Sequence, residues 1–94
     1  MRMLMAIIDN SRKEELELLL QREGVAGWTE IPHARGMGTT GPRLDSAAFP
    51  GSSAVIQALV EDERIGPLVA SINANCVQCR DHIKLLHWDV TMEM

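Results

Sequence analysis

The stretch Arg35-Gly36-Met37-Gly38-Thr39-Thr40-Gly41, with Arg43 just beyond it, is where residue types and spacing first offer chemistry in this 94-residue chain. Glycines let backbone N–H groups approach an anion with no Cβ in the way. Arg35 and Arg43 add positive charge on either side, so the segment reads as a cradle for a phosphate or a carboxylate. It is not the dinucleotide fingerprint, because no helical pattern follows the G-x-G, and it has no Walker A lysine. A surface loop with glycine hinges has the same composition.

Cys76-x-x-Cys79 with His82 is the second constellation. Thiolates at this spacing hold zinc or copper(I), or close a redox-active disulfide. A structural zinc site needs a further ligand, from another element or subunit. Cys76 also falls on the apolar stripe of a helix, where cysteine serves as a small hydrophobe. Met1, Met3 and Met5 alternate at one end of the chain, and Met92 and Met94 at the other. Thioethers suit copper(I), and the same side chains fill cores and subunit interfaces. His33 and His87 read as surface or core histidines. No Ser-His-Asp order, paired-carboxylate motif or cofactor fingerprint marks an enzyme.

The elements that position these residues follow from patterning. Residues 3–8 (MLMAII) form a short apolar run ended by Asp9, Asn10 and Ser11, which predicts a strand. Ser11 and Glu14 fit a capping box, opening a helix from about 12 to 23. Leu16, Leu19 and Leu20 make its buried stripe, with Leu18 beside them, and Gly24 stands where a left-handed residue would end it. Residues 27–35 predict a second strand anchored by Trp28, with Pro32 placing it at an edge or a bulge. Seven of the eleven Gly and Pro residues lie within 32–52, so 36–52 reads as one long loop, a feature more often functional than incidental. Residues 53–60 predict a third strand. Glu61, Asp62 and Glu63 favour a helix start, with Gly66 and Pro67 suited to its first turn or to a short irregular start, and Ile65, Leu68, Val69, Ile72 and Cys76 recur at helical spacing. Residues 83–90 close the chain with a fourth strand.

The order β-α-β-β-α-β is the ferredoxin-like split arrangement, an α+β fold with a four-stranded antiparallel sheet and two helices on one face. A length of 94 residues makes one domain over 1–94. The first and third strands are apolar on both faces, yet two helices cover only one, so another subunit is expected on the open face. With 46% hydrophobic and 23% charged residues the composition is globular, and a net charge of -4 speaks against a nucleic-acid partner. No run approaches the roughly 20 apolar residues of a membrane span, and Asp9 cuts the first run short of a signal peptide. A cytoplasmic location is expected.

Gly24-Val25-Ala26-Gly27-Trp28-Thr29, followed by Arg35-Gly36-Met37-Gly38, resembles the PII signal-transduction proteins, which share a G-x-x-G-hydrophobic-Thr segment and an R-G-x-G entry to a long loop. The element order agrees over the whole chain. The resemblance implies a homotrimer that binds a small anionic ligand, such as an adenine nucleotide, in clefts between subunits. It implies a non-enzymatic regulator whose long loop reports the ligand to a protein target such as a membrane transporter or a metabolic enzyme. Carried over, Arg35, Gly36, Met37, Gly38 and Thr39 form the ligand-binding base of that loop. Typical members carry a glycine-lysine loop of the G-D-G-K-I-F kind before the last strand. Here 76–84 reads CVQCRDHIK, with no glycine, and Arg80 or Lys84 supplies the charge. The chain has no tyrosine, so the loop tyrosine that some members have uridylylated is absent. The CutA-type divalent-cation tolerance proteins share the fold and provide the alternative, a metal-binding protein using Cys76, Cys79 and His82 for zinc or copper.

Overall fold

In the computed structural model, which describes residues 1–38, 41–76 and 83–94, the first apolar run lies within strand β1 (Arg2–Asp9). Asp9 ends β1 by capping a single 3-10 turn over Asn10–Arg12. Its Oδ1 accepts from the Ser11 N–H at 3.0 Å and from the Ser11 hydroxyl at 2.8 Å. Helix α1 (Lys13–Arg22) follows, with Arg12 at its N-cap and no side-chain cap. The expected Ser11–Glu14 capping box is therefore not formed. Ser11 bonds an acceptor two residues back, a local competitor of the helix cap.

Leu16, Leu19 and Leu20 are buried as expected, but Leu18 is 67% exposed. At 100° per residue it lies about 200° from both Leu16 and Leu20, on the opposite face. Gly24 ends the helix with φ +80°. Its N–H donates to the Gln21 carbonyl and that of Val25 to the Leu20 carbonyl, the paired bonds of a Schellman motif.

Strand β2 (Thr29–Ala34) is an edge strand whose register shifts between Ile31 and Ala34. Pro32, which has no N–H to give a neighbour, and His33, with φ 54°, occupy the irregularity. The segment read as one unbroken loop instead opens with a small hairpin. β3 (Gly36–Gly38) pairs antiparallel with β4 (Gly41–Arg43), placing Met37 opposite Pro42. β5 (Ser53–Val60) and β6 (Ile83–Asp89) are long strands, and α2 (Asp62–Asn75) lies between them. Pro67 sits inside α2, past the first turn where it was expected. It cannot donate to the carbonyl one turn back, but this face of the helix is exposed to solvent.

The main sheet has the order β2-β5-β1-β6 with antiparallel neighbours throughout, the ferredoxin-like arrangement. Alternation assigns its faces. Leu4, Ala6 and Ile8 of β1, with Ala54, Ile56 and Ala58 of β5, are buried with Leu16 and Leu20 of α1 and Leu68 and Ile72 of α2. The other face carries Met3, Met5 and Ile7 of β1, flanked by Val55 and Leu59 of β5 and by Leu86 and Trp88 of β6. These side chains are half-buried or exposed. No helix among the described residues is long and apolar enough to cross a membrane.

Candidate functional site

The end of β2 delivers the chain into the β3–β4 hairpin, and the candidate loop base is built there. Gly36 and Gly38 have negative or extended φ, and a Cβ added at either would meet nothing within 4 Å. Neither glycine is demanded by the chain's own packing, and the hairpin backbone is open to an external group. Gly41 differs, since its φ of +108° suits glycine alone.

Arg35 donates from Nε to the Leu44 carbonyl at 2.7 Å and Arg43 donates from Nη1 to Asp9 Oδ2 at 2.5 Å. The two expected cations of the cradle are thus partly occupied, Arg35 by the loop's own backbone and Arg43 by Asp9 of β1. Burial raises the Asp9 carboxyl, but bonds from the Ser11 N–H and hydroxyl and from Arg43 outweigh it and hold it below the usual range. His33 approaches Asp45 at 3.9 Å, and its N–H donates to Asn10 Oδ1 at 3.1 Å. Met37 is 74% exposed on the hairpin.

Lys84 pairs with Ile7 near the start of β6, and Ala34 pairs with Ser53, which faces Asp9. Lys84 and the loop base therefore share one end of the sheet. They stand on opposite edges, three strand spacings or about 14 Å apart. The remaining expected ligand residues, Thr39 and Arg80, lie outside the described residues, as do Cys79 and His82 of the C-x-x-C constellation.

Cys76 follows α2, donating its N–H to the Ile72 carbonyl at 2.9 Å, and is buried on the stripe where the sequence placed it. Among the described residues no group of three or more His, Cys, Asp and Glu side chains could hold a metal ion. Met3 and Met5 lie on the open sheet face, while Met92 and Met94 are exposed beyond β6. His87 accepts from the Arg2 guanidinium at 3.2 Å, the surface role expected of it.

Two features escaped sequence reasoning. A cavity of about 440 Å³ opens at the other end of the sheet, lined by Val25, Leu59, Pro67 and Leu68 with Glu61 and Glu63 among its walls. Arg64 and Met1 also line it. The second feature is the contact between Asp9 and Arg43, separated by 34 positions. The positive charge of Arg43 was legible, but its partner was not.

The family model for nitrogen regulatory protein P-II matches residues 1–83. Among solved structures, CPII from Thiomonas intermedia K12, a nitrogen regulatory PII-like protein bound to ADP, AMP and bicarbonate, superposes with a TM-score of 0.71 at 24% identity, covering 95% of this chain and 86% of that one. CPII with ADP, AMP and acetate gives 0.77 at 22% identity over 99% and 88% of the two chains. With ADP and bicarbonate it gives 0.72 at 25% identity over 95% and 86%. No curated protein matches the chain.

Proposed function

The chain belongs to the nitrogen regulatory protein P-II family, and from that premise we propose that it binds an adenine nucleotide between copies of itself and signals the occupancy through the loop at 36–52. The protein acts as a cytoplasmic regulator rather than a catalyst, with a transporter or metabolic enzyme as its target. The observation that carries this reading is the hairpin base. Gly36 and Gly38 expose backbone that neither packing nor φ requires to be glycine, as expected where a ligand makes the close approach.

The inter-subunit location is supported by strand order. Lys84 and the loop base lie at one end of the sheet but on opposite edges, so a ligand gripped by both is most simply placed between two chains. The half-exposed apolar face of Met3, Met5, Val55, Leu86 and Trp88 gives a second copy something to cover, and a trimer is the assembly proposed. The related CPII structures hold ADP, AMP and bicarbonate, which sets the ligands to try first.

The test is calorimetric titration with ADP, AMP and ATP, each with and without bicarbonate. Micromolar binding of at least one nucleotide is expected. Gly38→Asp, which has room for a side chain in the fold, should abolish it by setting a carboxylate against the phosphates. Absence of heat and of thermal stabilisation with all three nucleotides overturns the reading.

A further inference from the structure

We propose that the Asp9–Arg43 ion pair is a strap that holds the loop against the end of β1, and that a competing oxyanion releases it. Asp9 belongs to the body of the sheet. Its Oδ1 accepts from the Ser11 N–H and hydroxyl, at 3.0 Å and 2.8 Å, so the carboxylate is fixed in orientation. Its other oxygen, Oδ2, is given to Arg43. Arg43 belongs to the loop, on the outgoing limb at the end of β4. Its side chain also crosses the returning limb, since a Cβ on Gly51 would come within 3.6 Å of Nη1 and 3.7 Å of Cγ. One guanidinium therefore ties the end of β1 to β4 and lies beside the returning limb at Gly51.

Arg35, bonded from Nε to the Leu44 carbonyl at 2.7 Å, ties the loop only to itself, and His33 stands 3.9 Å from Asp45; the neighbouring backbone bonds are of another kind. The Asp45 N–H donates to the Gly51 carbonyl, and the Asn10 N–H to the Ser52 carbonyl, each at 3.0 Å. Such backbone bonds offer no cation for an anion to take. The ion pair does, and it is reachable, with the Arg43 and Asp9 side chains 24% and 22% exposed. Arginine presents several N–H donors to any planar or tetrahedral oxyanion. Asp9 holds the place such an anion would take, so ligand and strap compete for one guanidinium. The use of this competition in signalling rests on the nucleotide-binding reading above, whereas the strap itself does not.

The experiment is amide hydrogen exchange on the whole protein without nucleotide, comparing the wild type with Asp9→Asn, Arg43→Gln and the double variant. Asparagine keeps an oxygen for Ser11 and sets an uncharged NH2, a donor, where Arg43 needs an acceptor. Exchange across 41–51 should rise about tenfold in either single variant while α1 and β5 are unchanged. The double variant should be no faster than the singles. Inorganic phosphate should speed the same amides in the wild type and leave Arg43→Gln unaffected. Unchanged exchange at 41–51, a rise spread over the helices, additive single effects or indifference to phosphate would each overturn the strap. Failure of nucleotide binding in the calorimeter leaves these readouts intact, so the two proposals fail separately.

Discussion

Arg64, in the first turn of α2, donates from Nη2 to the carbonyl of Glu23 at 2.6 Å, so the second helix caps the C-terminus of the first. The guanidinium supplies both a donor and a positive charge where the carbonyls of α1 run out of partners. The same nitrogen would stand 3.1 Å from a Cβ built on Gly24. The Schellman turn and the inter-helix cap thus share one crowded corner.

Gly24→Ala is expected to destabilise the protein by about 1–2 kcal/mol, the cost of a side chain in the left-handed region. Urea unfolding should show a lower midpoint with an unchanged slope. Arg64→Ala removes the close approach and leaves the backbone penalty. The double variant should therefore lose less than the sum of the two single losses, and strict additivity would refute the shared corner.

The open sheet face yields a prediction about assembly. Met5 is central on β1, directly across from Leu86 on β6, and is half-buried in the isolated chain. Met5→Glu would place a charge in the middle of the proposed interface, where an unpaired buried carboxylate is strongly disfavoured. Sedimentation equilibrium should report a trimer for the wild type and a monomer for the variant. A wild-type monomer, or a trimer that survives the substitution, removes the inter-subunit cleft from the account.

Elements governed by neighbours in sequence are legible in the sequence itself. Leu16, Leu19 and Leu20 declare a helix face, Gly24 its end, and Pro32 an edge strand, because each acts within a few residues. What escaped depends on competition or on distance. Glu14 could not reveal that Ser11 prefers Asp9 to the helix. The β3–β4 hairpin pairs Met37 with Pro42 within a segment that a breaker count reads as loop. Arg43 announced a charge, but its partner is brought beside it only by the sheet.

Position 16 tests the core directly. Leu16 is fully buried, and Leu16→Ala should cost about 2–5 kcal/mol, combining lost transfer energy with the cavity left behind. Leu18→Ala, one turn-face away, should change stability by less than about 0.5 kcal/mol. Equal losses in chemical denaturation would mean that Leu18 is covered in solution by something other than this chain.

The carboxyl pair formed by Glu17 and Glu30 sets a pH dependence. Burial, and then the hydrogen bond with Glu30, push the Glu17 carboxyl above its ordinary range. The bond from Glu17, with Lys13 Nζ at 3.3 Å, holds Glu30 below it. The two carboxyls share a hydrogen bond, and a bond from Trp28 to Glu17 partly offsets the rise. A raised carboxyl contributes stability that is complete below its unfolded value and is lost as pH rises through the folded one. A lowered carboxyl contributes stability present above its unfolded value and lost as pH falls through the folded one. The pair accordingly supports the fold best near the ordinary glutamate value of about 4.3, and the support declines on both sides. Glu17→Gln keeps an N–H for Glu30 and an oxygen for Trp28 but cannot ionise. Its unfolding free energy relative to wild type should improve as pH rises above the ordinary glutamate value. Glu30→Gln should shift the relative stability on the acid side instead, losing the contribution that wild type gains on leaving acid. Parallel stability curves for Glu17→Gln and wild type on the alkaline side of that value would show that folding does not raise the Glu17 carboxyl.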